Sequence, residues 1–382
     1  MPSAPTPFDA RTFAPVRRQA LEAETLPPEA YTAEAFYRRE VERIFMKEWN
    51  FMGRADHLVE PGAYAAVELV GVPLILVRDR KGGLRAFANS CRHRGTQLVE
   101  GEGQCKSFRC PYHSWVYDLD GALLGAPEME QTRGFDRSQF GLVPIRLETW
   151  GGFVFVNFAP EGPSLADYLG DLPALLEPYA LDDLVCARRR EFDIACNWKL
   201  FVENAMEELH IPTVHRRTIQ QNTPMDTHTP EEARGQYCAL FSTHEGSMAL
   251  LKGDQGFPAI PSRRGKAATG TYFVMLYPST MLGVTSDCMW YLELRPLGPT
   301  RTRLIHGACF PRSSVARDDF DEVAARYFKR WDTTAQEDID ASERQQRGLR
   351  SPFSARGRFS HHEALVHAID NWVVDRVLGP QA

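Results

Sequence analysis

Two cysteines and two histidines stand in a short pattern that occurs twice. Cys91-Arg92-His93 is followed, after the sixteen residues Arg94–Arg109, by Cys110-Pro111-Tyr112-His113. Each half offers one thiolate and one imidazole. Thiolates suit zinc and iron–sulfur centres, and imidazoles suit zinc and iron. His as the second member of each pair matches a [2Fe–2S] centre in which two His replace two Cys on one iron. The same four ligands also suit a structural zinc, although zinc sites more often pair Cys with Cys and His with His. Gly95 and Pro111 fit tight turns in the ligand loops. Tyr112 and Trp115 are placed to shield a centre, and Cys105, between the halves, reads as a bystander.

A second dense segment runs from Asn197 to His215. At helical periodicity Glu203, Asn204, Glu207 and His210 share one face. Burying such a set is costly without pairing or a metal. Pro212 disfavours helix at Ile211, so the chain is expected to turn there and swing His215 back toward His210. Two histidines and one carboxylate form the facial triad that leaves positions open on ferrous iron for O2. Asp338, within Gln336-Glu337-Asp338-Ile339-Asp340, is the candidate carboxylate, with Glu337 and Asp340 open as alternatives. Glu207, three residues before His210, is placed to accept that ring's other N–H and fix its tautomer. Asn204, one turn earlier, is placed to line the iron site. The competing reading is an ordinary amphipathic surface helix.

Elements of two textures must position these groups. Residues 1–50 read as a Pro/Ala-rich lead-in followed by a helix over 31–49. Residues 51–160 read as a compact antiparallel β domain. Its candidate strands are Tyr64–Leu69, Pro73–Arg78, Leu84–Asn89, Trp115–Leu119, Leu142–Thr149 and Gly152–Phe158, with Lys81-Gly82-Gly83 and Asp120-Gly121 as turns. Residues 161–382 mix helices with one antiparallel sheet. Helix is expected over Asn197–Ile211, 315–347 and 361–378, and strands over Tyr272–Leu282, Met289–Pro296 and Thr302–Phe310. The overall class is α+β. The polar stretch 216–235 reads as a mobile lid or entrance. Phe273, Tyr277, Trp290 and Tyr291, with Met206, Leu209 and the loop around 216–250, are candidate pocket walls. Their rings suit an arene or, by cation–π attraction, an ammonium.

The composition is that of a globular chain. Hydrophobic residues make up 43% and charged residues 25% of 382 residues, which excludes a disordered or collagen-like chain. Lys plus Arg is 44 and Asp plus Glu is 50, a net charge of −6, so no global field favours nucleic acid. No apolar run reaches the roughly 18 residues of a membrane span. The N-terminus does not read as a secretory signal. Eight cysteines are too few for a disulfide scaffold and fit a reducing, cytoplasmic setting. No G-x-G-x-x-G follows a strand and no P-loop occurs, so reducing equivalents must arrive from another protein.

Together, Cys91–Gly95, Cys110–His113, Asn197–His215 and Gln336–Ser351 make the chain resemble the large (alpha) subunit of a Rieske non-haem iron ring-hydroxylating oxygenase, from about Phe36 to Val377. The resemblance implies an N-terminal Rieske domain and a catalytic domain built on a helix-grip sheet. It implies Cys91 and Cys110 on one iron, His93 and His113 on the other, and His210, His215 and Asp338 on a mononuclear Fe(II). It further implies O2 as co-substrate, NAD(P)H used indirectly through a separate reductase or ferredoxin, and a head-to-tail homotrimer. In such a trimer electrons cross to the neighbouring subunit's iron over a carboxylate, here Glu207. Most of the family has Asp at that position; Glu leans toward the branch similar to choline, carnitine and betaine oxygenases. The expected substrate is a small aromatic compound or aromatic acid, with a quaternary ammonium compound as the alternative. A zinc-stabilised binding protein and a pure Rieske electron carrier are minor alternatives.

Overall fold

The computed structural model describes residues 8–221 and 228–379. The chain forms two compact units. One is Met52–Gly162, and the other combines the segments before and after it.

The Met52–Gly162 unit is antiparallel β. Its larger sheet has the order Asn50–Arg54, Phe153–Asn157, Pro144–Trp150, Leu84–Ala88, Val72–Arg78, Ala63–Leu69, Glu102–Gln104. Turn chemistry fixes the register of the central hairpin. The Asp79 carboxylate accepts from the N–H groups of Lys81 and Gly83 at 2.8 Å each and from Arg85 at 2.7 Å. Gly82 takes the left-handed conformation that the sequence Lys-Gly-Gly supplies at least cost. A small three-stranded sheet, Phe108–Arg109, Val116–Tyr117 and Leu123–Gly125, adds the second ligand loop. The core between them is Ile75, Val77, Phe87, Phe108, Trp115 and Tyr117 with their neighbours.

The other unit is built on a seven-stranded antiparallel sheet. Its order is Leu184–Ile194, Arg301–Pro311, Met289–Gly298, Thr280–Val284, Gly270–Leu276, Tyr237–Thr243, His228–Glu231. The segment expected as one strand, Tyr272–Leu282, is two strands joined by a turn at 277–279. Pro278 supplies no ladder donor and breaks the run. The long helix Phe320–Leu349 packs on this sheet through Trp331, whose ring meets Trp290 at 5.9 Å, Phe310 at 5.9 Å and His306 at 5.3 Å. The helix Ala364–Leu378 completes the layer.

The helix expected over 31–49 is broken. It runs as Glu29–Thr32, Glu34–Glu40 and a π turn at Val41–Phe45. From it Glu40 reaches Lys199 at 2.6 Å, both side chains being fully buried. Lys199 also donates to Asn197 Oδ1 at 2.8 Å, and the same oxygen caps the helix Trp198–Asn204 by accepting from Lys199 N. Removing one partner of such a buried pair typically costs about 3–5 kcal/mol. This anchor fixes where the helix carrying Asn204 begins.

The chain does not continue as helix to Ile211. The helix stops at Asn204, and the ladder ends with Ala205 N–H on Phe201 C=O at 3.1 Å. The Glu207 carboxylate accepts from the N–H of Leu209 and, at 3.3 Å, of His210. A side chain that takes these donors competes with the helical ladder. A new turn, Ile211–Val214, starts after His210, with Pro212 in its first turn where the missing N–H costs nothing. Pro212 therefore opens a helical turn rather than closing one. Of the expected lid 216–235, residues 222–227 lie outside the described residues. The remainder forms a short turn at Ile219–Gln221 and the edge strand His228–Glu231. Among the described residues no helix is long and apolar enough to cross a membrane.

Candidate active site

The two ligand loops of the β unit close in the same way. The Cys91 N–H donates to Thr96 C=O at 2.8 Å and the Gly95 N–H to Cys91 C=O at 2.8 Å. The Cys110 N–H donates to Trp115 C=O at 2.7 Å and the Ser114 N–H to Cys110 C=O at 3.1 Å. In each loop the residue four beyond the Cys is left-handed, Gly95 at φ +79° and Ser114 at +58°. Each loop so presents a buried sulfur and, two or three residues on, a half-buried imidazole. Nδ1 of His93 lies 3.2 Å from Nδ1 of His113, so both rings aim at one point. Trp115 stacks on His93 at 5.0 Å, while Tyr112, 60% exposed, stacks on His113.

The donors around the sulfurs suit thiolate. Burial works to raise the Cys110 thiol, but N–H groups of Tyr112 and His113, with Cys91 and Thr96, outweigh it and hold it below its usual range. The Tyr117 phenol accepts from Arg92 N–H at 2.9 Å, which leaves its own proton for Cys91 Sγ at 3.2 Å. Burial, with the charges of His113 and Arg94, holds His93 below its usual value and so in the neutral form a metal requires. Two cysteine sulfurs and two imidazoles are the donor set of such a [2Fe–2S] centre. Cys105 is half-buried and packs against the core of this unit.

In the other unit, one helical turn brackets the two histidines. His210 is its N-cap and His215 its C-cap, and the rings lie 5.0 Å apart at 71°. Each ring is tied at Nδ1. His210 Nδ1 meets Glu207 Oε1 at 2.6 Å, and His215 Nδ1 meets Glu337 Oε2 at 2.7 Å. Thr218 Oγ1 donates to that same Glu337 oxygen at 2.7 Å. Both Nε2 atoms are thereby turned toward Asp338, whose Oδ1 is 2.9 Å from that of His215 and 3.7 Å from that of His210. Asp338 Oδ1 is buried without a well-aligned hydrogen bond. The three ligand atoms lie within 4.8 Å of one another, and a buried carboxylate oxygen facing two imidazoles is what a divalent iron would satisfy. Burial alone would lower His215, but Asp338 and then Glu337 raise it above its usual value.

The acidic run 336–340 divides cleanly. Asp338 faces the histidines, Glu337 holds His215 from behind, and Asp340 accepts from Gln336 on the exposed side at 2.9 Å. Glu203 is not on the metal face. It accepts from Tyr31 Oη at 2.9 Å and lies beside Asp370. The break at Ala205 separates it from His210.

A cavity of about 100 Å³ opens at this triad. Asn204 lines it, as do Phe273 and Trp290 of the expected aromatics, together with Phe201, Trp331, Leu240 and Leu292. Tyr277 and Tyr291 do not. Tyr277 stacks on Trp372, and Tyr291 packs near Phe51. Met206 is buried away from the cavity and Leu209 is 37% exposed, so neither forms its wall. Polar groups that sequence reasoning passed over are Glu208, His228, His306, Arg330 and Thr334. Glu208 is buried in contact with His228 and His362. Spacing offered one signal for two of the others, since Arg330, Thr334 and Asp338 recur every four residues on one helix face.

Comparison with known proteins agrees with both halves of this geometry. Residues 48–141 match the Rieske [2Fe-2S] domain, and residues 181–379 match the ring hydroxylating alpha subunit (catalytic domain). The oxygenase subunit of carnitine monooxygenase from Escherichia coli (strain K12) is 35% identical over 267 residues, 69% of this chain and 68% of that one. The chloroplastic choline monooxygenase of Spinacia oleracea is 29% identical over 347 residues, 88% of this chain and 74% of that one. A crystal structure of a quaternary ammonium Rieske monooxygenase with L-carnitine superposes at a TM-score of 0.79, with 24% identity, 93% of this chain and 96% of that one covered. The cofactors are a Rieske [2Fe–2S] cluster and a mononuclear iron with O2 as co-substrate, and oxygenases of this kind draw electrons from a separate reductase or ferredoxin. The chain belongs to the ring-hydroxylating alpha subunits, the Rieske non-haem iron oxygenases.

Proposed function

We propose that this chain is the oxygenase component of a monooxygenase that oxidises a quaternary ammonium compound at a carbon bound to, or near, the charged nitrogen. In this reading Cys91 and Cys110 hold one cluster iron and His93 and His113 the other. His210, His215 and Asp338 hold the catalytic iron. The bound metals supply the reductive activation of O2, in the balance RH + O2 + two electrons + two protons → ROH + H2O.

The chain's own residues orient and exclude. Glu207 and Glu337 fix the two imidazoles so that Nε2 of each faces the metal. Asn204 lines the cavity beside them. Glu207 is also the carboxylate that passes electrons from a neighbouring subunit's cluster in a homotrimer. One observation carries the substrate reading: a small cavity walled by Phe201, Phe273 and Trp331 that holds a buried carboxylate, Glu208, beside the proposed metal ligands. Aromatic faces and a buried anion attract a desolvated cation. The carnitine and choline monooxygenases named above support this ahead of the aromatic substrate expected from sequence.

The test is a screen of methylated amines and aromatic acids with a surrogate reductase, scored by oxidised product rather than by NADH consumption. Product from an ammonium compound is expected. Coupled product from an aromatic acid, with none from any ammonium compound, overturns the reading. A Glu207→Gln variant is expected to keep both metals but lose single-turnover yield; normal yield removes its electron-transfer role.

A further inference from the structure

The long helix carries a second charged group into the cavity, of opposite sign to the metal end. Arg330 is 6% exposed and lines the cavity wall. Its guanidinium donates to Thr334 Oγ1 at 3.3 Å and lies 5.5 Å over the ring of Trp290. Among the described residues no carboxylate lies within ion-pair distance of it. Asp332, two residues on, pairs instead with Arg188 at 2.8 Å and Arg190 at 2.5 Å. Burial pulls its pKa down to about 10, so it remains charged at neutral pH. A guanidinium offers a fork of donors matched to a carboxylate, and one hydroxyl cannot satisfy it. Buried charges are ordinarily paired. His306, the other polar group near Arg330, is pushed down to about 3 by burial and by Arg330 and so stays neutral.

We propose that Arg330 receives an anionic group of the substrate, and that it is the residue selecting an ammonium compound that ends in a carboxylate over one that ends in a neutral hydroxyl or ester. The inference rests on the ammonium reading above and deepens it.

The placement fixes the substrate's direction. Arg330 and Asp338 are eight residues apart on one helix face, about 12 Å along the axis at about 1.5 Å per residue. With Fe(II) bound, the ion offsets the charge of Asp338, so Glu208 is the carboxylate left to face an ammonium at the metal end, while Arg330 makes the far end positive. A zwitterion laid along this axis puts its methylated nitrogen toward the metal ligands and its carboxylate toward the guanidinium. The reverse orientation sets like charges together at both ends. Because Arg330 already covers one face of Trp290, a second cation on that ring is disfavoured, and the ammonium is left to the carboxylate-rich end.

The experiment measures kcat/KM on the full, metal-loaded chain with a surrogate reductase for two acid–ester pairs, glycine betaine and carnitine against their methyl esters, with choline as a third probe. Binding of each compound to the anaerobic protein is measured by calorimetry. The unaltered chain is expected to favour acid over ester by at least about tenfold, the value of one buried charge-assisted pair. In Arg330→Gln that ratio is expected to collapse toward unity, mainly through KM and calorimetric affinity, with Arg330→Lys between. Equal handling of acid and ester by the unaltered chain overturns the proposal. So does an Arg330→Gln variant that loses the same factor on both, since that is a structural role. Should Arg330→Gln not fold, the acid–ester ratio of the unaltered chain still decides. Should only an aromatic acid be oxidised, the ammonium reading fails by itself, and the benzoate-to-ester ratio in the same variants judges Arg330.

Discussion

Replacing Glu337 with Ala removes the group that holds His215 from behind. Two contacts vanish together, His215 Nδ1 at 2.7 Å and Thr218 Oγ1 at 2.7 Å, both to Oε2. The first is a hydrogen bond to an ionised carboxylate, worth about 1.5–3 kcal/mol net. At about 1.4 kcal/mol per factor of ten that is roughly a 10- to 100-fold weakening of iron binding, which agrees with the usual cost of losing the partner of a ligating His. The assay is competition for Fe(II) against a chelator of known affinity, with the Rieske absorption and EPR signal as internal control, since the cluster ligands sit in the other unit. Glu337→Gln, which keeps an acceptor oxygen, should recover part of the loss. An Ala variant that holds iron as tightly as the parent, with an intact cluster signal, refutes the assignment of Glu337 as the group that orients His215.

Two further substitutions probe the cavity wall and the buried acids. Gly283→Ala places a Cβ 2.2 Å from the ring of Trp290, its cross-strand partner, so the ring must shift; a loss of about 1–3 kcal/mol in stability and a raised KM are expected, with iron content unchanged, and an unaltered Tm and KM would show the ring is not constrained. Burial pushes the Asp370 carboxyl up to about 7, beside Glu203, which burial and Asp370 also raise. The folded chain therefore binds more protons than the unfolded one between about pH 4 and pH 7, and stability falls as pH rises through that window; Asp370→Asn should flatten the fall and raise Tm at pH 8 while changing little at pH 5, as differential scanning calorimetry would check.

How much of this was readable depends on how local each piece of chemistry is. The four residues proposed as cluster ligands stand out in the sequence because each Cys–His pair is contained in one loop, and the loops close on their own hydrogen bonds at Gly95 and Ser114. The two histidines proposed as iron ligands stand out as a pair, but not by the argument from a continuous helix face. The Glu207 carboxylate takes the donors of Leu209 and His210, ends the helix and separates Glu203 from the site. Propensity alone does not foresee a side chain outbidding the ladder. The choice among Glu337, Asp338 and Asp340 was not legible, since successive helix positions point about 100° apart and the direction is set by packing against the sheet. Tyr277 and Tyr291 carry the same composition signal as Phe273 and Trp290, and only the pleat and the turn at 277–279 decide which rings face the cavity.

The long helix ties chemistry to selectivity. In the proposed site Glu337 and Asp338 act on the iron, Thr334 stands one turn back, and Arg330 one turn further, so a single rigid element would set the distance between the reacting centre and the far end of the substrate. Trp331, fully buried between Trp290, Phe310 and His306, locks the helix's rotation about its axis. A site held on one well-packed helix keeps its geometry better than one spread over loops. The histidines, by contrast, stand on a single short turn whose direction depends on two carboxylates, Glu207 from their own segment and Glu337 from the helix. Glu337 is thus the point at which the helix passes its position to the otherwise local histidine turn. A change that rotates the helix must therefore disturb metal affinity and substrate preference together, whereas a change confined to Glu207 should disturb the metal and leave the acid–ester preference intact.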